Sequence, residues 1–208
     1  FTAEDDVLRK AYGTGNKLSA WETVFRHKSG KLIPVECTLH PLKIKGVQQG
    51  SVVAFRDISN QKMLEQRLRW QATHDHLTKL YNRRYFELKL ERELEQVQRS
   101  GIAGALVYID LDRFKYVNDT VGHETGDRLL KDISRVLSEE LRRTDMVARI
   151  GGDEFAVIVC NVDEGTALQV AENFRTSLNQ IRLTHNDETF VIHASVGVAM
   201  MTEEHDTA

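Results

Sequence analysis

The sequence predicts an α+β fold in two parts joined by a helix, and three observations predict it. Between residues 21 and 58, apolar and polar residues alternate in three short runs separated by glycine-containing turns, the period of half-buried antiparallel strands. Residues 60–73 contain no Gly or Pro and are rich in strong helix formers. Beyond them, apolar runs at 105–109, 146–150 and 155–159 are interleaved with segments of helical period at 84–99, 127–141 and 163–180.

Composition narrows the class of protein. The chain has 208 residues, 41% hydrophobic and 28% charged, enough for one large domain or two small ones. A formal net charge of −3 supplies no bulk attraction to nucleic acid, so no such partner is expected. No apolar run approaches the roughly 20 residues of a membrane helix, and no signal peptide opens the chain. A cytoplasmic location is expected, with tethering through segments outside this chain left open. The first residue is Phe1 rather than Met, which reads as a fragment. Cys37 and Cys160 are far apart, each in a strand-like run, and read as two reduced, buried thiols.

In chain order, residues 1–12 read as the end of a helix closed by Gly13-Thr14-Gly15. Strands are expected at 21–27, 32–41 and 51–58, with turns at 28–31 and 46–50. His27 and His40 are ordinary strand residues. In the helix at 60–73, Met63, Leu64, Leu68 and Ala72 form a stripe as narrow as a coiled-coil seam. The helix at 84–99 carries Tyr85, Phe86, Leu88, Leu94 and Val97 mostly on one face. The run at 105–109 reads as a central strand covered on both sides, and one further strand is expected over 189–201. His193 packs in that last strand.

The chemistry gathers at the ends of these strands. Arg149-Ile150-Gly151-Gly152-Asp153-Glu154-Phe155 reads as a tight hairpin turn, with glycines for positive φ and two adjacent carboxylates at the tip. Adjacent acids repel unless a cation sits there, and oxygen-only ligands suit Mg²⁺. Asp110 ends the central strand, where an unpaired carboxylate is poorly explained by packing, and so reads as the second half of a metal site. Asn118 and Asp127 flank a glycine-containing loop before the helix at 127–141. Together they offer a donor and acceptors that suit guanine better than adenine; a helix N-cap is the alternative role for Asp127.

Two resemblances follow from these residues. Arg26-His27-Lys28-Ser29-Gly30-Lys31, Pro34-Val35-Glu36 and Phe55-Arg56-Asp57-Ile58-Ser59 resemble the C-terminal half of a PAS sensor domain. Asp75-x-Leu77-Thr78-x-Leu80-x-Asn82-Arg83-Arg84, Asp110-x-Asp112-x-Phe114-Lys115-x-x-Asn118-Asp119, Gly122-His123-x-x-Gly126-Asp127 and Arg149-x-Gly151-Gly152-Asp153-Glu154-Phe155 together resemble the GGDEF family of diguanylate cyclases. The resemblances imply a partial PAS antiparallel sheet over 1–59, a connector helix over 60–74 that transmits a signal, and a palm-like GGDEF domain over 75–208. That domain would be an antiparallel central sheet flanked by helices. They imply that two GTP are joined into cyclic di-GMP with release of two pyrophosphates, one GTP on each protomer of a homodimer.

The second resemblance also implies residue roles. Asp110, the Leu111 carbonyl, Asp153 and Glu154 would hold Mg²⁺, with Mn²⁺ as an alternative, and Glu154 would also help with the 3′-OH proton. Gly151 and Gly152 would admit the nucleotide. Asn118, Asp127 and His123 would form the guanine pocket, and Lys115, Arg113 and Phe114 would meet the phosphates. Arg142 and Asp145, in the pattern Arg-x-x-Asp, would form a product-inhibition site assisted by Arg175; a charged helix terminus is the alternative there. The family continues into a further helix that supplies a Lys and an Arg to the triphosphate, and this chain stops at Ala208, before that helix. A silent module that binds GTP or cyclic di-GMP is the second functional reading.

Overall fold

The computed structural model of the chain describes residues 2–3, 17–185 and 188–203. The chain divides into two compact units, Phe1–Arg69 and Trp70–Ala208. The helix end expected over 1–12 lies outside the described residues, except at Thr2–Ala3, which form a short strand, β1. Strand pairing to the next segment overrides helical character there.

In the first unit β1 is followed by β2 (Leu18–Arg26), β3 (Leu32–Ile44) and β4 (Val47–Asp57), an antiparallel meander in sequence order. Strands β3 and β4 run further than the expected 32–41 and 51–58, because the turn is two residues, Lys45-Gly46, both at positive φ, and Gly50 stays in the strand. Phe25, Val35 and Cys37 are buried together, with Trp21 and Ile33 packed on them. The ladder ends where Asp57 accepts from the Ser59 amide at 2.8 Å and helix α1 (Ser59–Thr73) begins. No residue of α1 is buried, and Met63, Leu64 and Leu68 of its apolar stripe are exposed.

The second unit continues with β5 (Tyr81–Asn82), α2 (Arg83–Ser100), β6 (Gly104–Leu111), α3 (Phe114–Val121) and α4 (His123–Glu139). It closes with β7 (Met146–Gly151), β8 (Glu154–Val159), α5 (Glu164–Asn179), β9 (Arg182–His185), β10 (Glu188–Val191) and β11 (Ala194–Met201). Its main sheet has the order β11-β6-β8-β7-β5. The expected antiparallel sheet is mixed, because β5 lies parallel to β7. Strand β6 lies inside the sheet between β11 and β8, and its run is mostly apolar because both faces are largely covered, Tyr108 and Asp110 excepted. One face packs Val107, Ile109, Phe155 and Val157 against Leu129, Ile133, Leu137 and Phe174. The other packs Ala148, Ala156 and Ile158 against Phe86 and Val97 of α2.

Four expectations are corrected here. The loop expected between Asn118 and Asp127 is helical on both sides of Gly122, and residues 114–121 form a helix because Phe114, Val117 and Val121 give a buried stripe at helical spacing. The strand expected over 189–201 is two, broken at Ile192-His193. His193 is exposed at this break, its Nδ1 3.1 Å from Asn179 Oδ1, rather than packed in the sheet. Leu88 of α2 faces solvent, so its apolar face is narrower than the sequence implied.

Candidate functional site

The two acidic segments meet because β6 and β8 are neighbours. Their antiparallel register sets Asp110 opposite Glu154. At the tip the Leu111 amide donates to the Asp153 carbonyl at 3.3 Å. Asp110, Leu111, Asp153 and Glu154 thus come together from two strand ends 40 or more residues apart in sequence. Burial, and then the charges of Asp153, Glu154 and Asp112, push the Asp110 carboxyl above its ordinary range. A cation would relieve that repulsion, and the donor set is all oxygen, which fits a hard divalent ion. Among the described residues no three His, Cys, Asp or Glu side chains form a ready metal cage.

The hairpin carrying Asp153 turns through Gly152, whose φ of +40° is the glycine requirement of this turn. A Cβ at Gly151 would meet only Glu154 Oε2, at 3.8 Å, and one at Gly152 nothing within 4 Å. The glycines therefore border open space rather than protein. Arg149 ties the tip down: its Nε and Nη2 donate to the Gly152 carbonyl at 3.0 and 2.7 Å, and its Nη1 to Asp75 Oδ1 at 3.2 Å. The same Asp75 oxygen accepts from the Thr78 amide and hydroxyl at 2.9 and 2.7 Å. Burial works to raise the Asp75 carboxyl, but Thr78 and Arg149 together hold it below its usual range. Sequence reasoning placed Asp75, Thr78 and Arg149 within motifs and gave them no role; the signal, charged residues bracketing the hairpin, was present.

On the other side of β6, Asp112 is fixed by its amide donating to the His193 carbonyl at 2.9 Å and by the Ser195 hydroxyl at 2.7 Å. Arg113 follows in the left-handed region, φ 58°, and starts α3 with no side-chain cap. Such a conformation costs a non-glycine residue roughly 1 kcal/mol and must be held by its surroundings. Phe114 is buried; Lys115, His123 and Asp127 are exposed. Among the described residues Asn118 Oδ1 is buried without a hydrogen-bond partner. It lies against Gly126, where a Cβ would come to 1.8 Å of that oxygen. Helix α4 starts at His123, four residues before the expected start at 127, so Asp127 sits one turn inside and the N-cap alternative is excluded.

The Arg142–Asp145 segment leads into β7. Asp145 Oδ2 accepts from the Arg142 amide at 3.1 Å, and Oδ1 from the Thr144 hydroxyl and the Cys160 amide, both at 3.3 Å. Asp145 therefore shapes its own turn. Arg175 is held by a bidentate pair with Glu172 on α5 at 2.6 and 2.8 Å. A cleft of about 230 Å³ beside the turn is lined by Tyr81, Tyr85, Arg143 and Asp145, with Cys160 in its wall. Both cysteines are free, Cys37 buried and Cys160 half-buried. Burial, then Glu93 and Asp145, push the Cys160 thiol up to about 12, and burial raises that of Cys37.

Comparison with known proteins places the chain in a family. Residues 72–208 match the family model described as diguanylate cyclase, GGDEF domain. The chain is 33% identical over 207 residues to the protein named "Probable diguanylate cyclase DgcE" of Escherichia coli K12, covering 97% of this chain and 19% of that protein. It is 41% identical over 139 residues to the diguanylate cyclase TpbB of Pseudomonas aeruginosa, covering 66% of this chain and 32% of that protein. The chain thus spans between a fifth and a third of these curated relatives. Among solved structures, the coiled coil and GGDEF domain of DgcB from Caulobacter crescentus, in complex with c-di-GMP, is similar with a TM-score of 0.66. It is 27% identical and covers 71% of this chain and 79% of that one. The diguanylate cyclase SiaD of Pseudomonas aeruginosa, in complex with its activator SiaC, matches with a TM-score of 0.62 at 35% identity, covering 71% and 56%. The strand-end acids, the glycine hairpin and the family match over two thirds of its length agree, and the chain belongs to the GGDEF family of diguanylate cyclases.

Proposed function

We propose that this chain is the cyclase part of a protein that condenses two GTP into cyclic di-GMP. The observation that carries the reading is the register of Asp110 opposite Glu154, with Leu111 bonded to Asp153 at the same edge. Each 3′-hydroxyl would attack the α-phosphate of the other GTP, breaking the α–β bridge and releasing pyrophosphate. Asp110, the Leu111 carbonyl, Asp153 and Glu154 would hold Mg²⁺ or Mn²⁺. When bound, the metal supplies neutralisation of phosphate charge and a lower pKa for the attacking hydroxyl. Glu154 would also receive the hydroxyl proton. The orphaned Asn118 Oδ1 is an acceptor awaiting a donor, which the amino and imino groups of guanine would supply, with Asp127 and His123 beside it. Lys115 and the Arg113-Phe114 amides would meet phosphate, and the open space at Gly151 and Gly152 would admit the nucleotide.

Each protomer would bring one GTP, so a homodimer is needed. The exposed stripe of α1 supports dimerisation through that helix. The first unit, with its meander and its Asp57-Ile58-Ser59 exit, would be the C-terminal part of a PAS sensor over 1–59. The connector would span 60–74 and the GGDEF domain 75–208. A cytoplasmic setting follows from the need for GTP, and among the described residues no helix is long and apolar enough to cross a membrane. Arg142 and Asp145 would bind product and lower activity. The local bonds of Asp145 leave its carboxylate as the turn's organiser, and the pair of Arg175 with Glu172 would have to open for Arg175 to assist.

The test is incubation with GTP and Mg²⁺ and detection of cyclic di-GMP by mass spectrometry, with Glu154→Gln beside it. We expect product from the chain and a loss of about 10³-fold or more in the variant. Added cyclic di-GMP should slow the chain and spare Arg142→Ala. The second reading is a silent module that binds GTP. Bound GTP with no product would decide for it.

A further inference from the structure

Glu154 opens β8 directly opposite Asp110, so two carboxylates share one side of the sheet, where like charges repel. Something must hold the Glu154 side chain there before any cation does. Tyr108 lies two residues before Asp110 on β6 and therefore on the same side. Its register partner is Ala156, whose methyl leaves the diagonal toward Glu154 open to a long side chain. Tyr108 is exposed and lines a groove of about 220 Å³ together with Phe86, Leu106 and Ile150 and the charged Arg83 and Glu87. The diagonal brings its hydroxyl within reach of the Glu154 carboxylate. A phenol is protonated at neutral pH and can donate. Arg83, held by Glu87 at 2.7 Å, adds a positive charge that acts on both Tyr108 and Glu154.

We propose that Tyr108 is a positioning residue for cyclisation: its hydroxyl holds one oxygen of Glu154 and so presents the other at the Asp110 strand end. This role rests on the cyclase reading and acts through Glu154 alone. A carboxylate has two oxygens, so one can be held while the second serves the reaction. Misplacement of a reacting group by about 1 Å costs on the order of 100-fold in rate.

The test is Tyr108→Phe in the full-length protein, which keeps the ring and removes the hydroxyl. We expect kcat to fall about 10- to 100-fold with KM for GTP within about twofold and Tm unchanged. Paramagnetic resonance of Mn²⁺ added to the GTP-bound protein should show several-fold weaker metal binding in the variant. That difference should vanish when both proteins also carry Glu154→Gln. Equal kcat and equal Mn²⁺ binding in two active proteins overturn the role of Tyr108 and leave the cyclase reading standing. A fall in kcat together with Tm overturns it in favour of packing. No product from either protein overturns the cyclase reading, and this role with it.

Discussion

At the scale of single residues, the site is held by side chains that do none of its chemistry. Asp75 and Arg149 are each about 15% exposed at the side chain and join the start of the second unit to the hairpin tip. Truncating Asp75 to Ala would leave a shielded guanidinium with one partner fewer and the Thr78 donors unmet. We expect a loss of about 2–3 kcal/mol in chemical denaturation. The pH dependence has a definite sign. The folded state favours the charged carboxylate, so the contribution is complete above the usual value of about 3.9 and disappears as pH falls through the lower folded-state value. The Asp75→Ala chain should therefore lose less stability than the parent on acidification through that window. Asp110 is the opposite case, crowded by acids and pushed up. The two carboxylates show that one sheet edge carries both a clamp and a strained site.

At the scale of elements, the interlock of α3 and α4 is the tightest feature near the candidate guanine pocket. Gly126 is a helical glycine because Asn118 occupies the place of its side chain. Gly126→Ala should push Asn118 out, cost about 1–3 kcal/mol by overpacking, and weaken GTP binding measured by calorimetry while leaving the hairpin intact. This pair also marks where the sequence was legible and where it was not. The strands around Asp110 and Glu154 were readable, since a short, strongly apolar run bounded by an acid has the length and pattern of a buried strand. Helix α3 was not, because the glycines and polar residues from Asn118 to Asp127 carry loop chemistry, whereas the buried stripe Phe114, Val117, Val121 is only three residues long. The parallel pairing of β5 was hidden for a related reason: two residues, Tyr81 and Asn82, carry no periodicity. Arg149 was visible as a motif letter, but one of its two partners, Asp75, is set by tertiary contact 74 residues away.

At the scale of the whole molecule, the proposal needs two copies. Helix α1 keeps Met63, Leu64 and Leu68 in solvent, an arrangement a lone helix gains nothing from and a paired one would bury. The double variant Leu64→Glu, Leu68→Glu should shift sedimentation toward the monomer and lower cyclic di-GMP formation at least about tenfold at low protein concentration, with partial recovery at high concentration. A mass unchanged by the substitutions would place the dimer contact elsewhere. The two free cysteines bear on how such experiments can be read out. With the Cys160 thiol pushed up to about 12 by burial, Glu93 and Asp145, little of it is thiolate near neutral pH, and Cys37 is 1% exposed. The natural chain is therefore nearly blank to maleimides. A reporter cysteine placed on α1 or beside the glycine hairpin would carry a fluorophore or spin label alone, without first stripping the protein of its own sulfur.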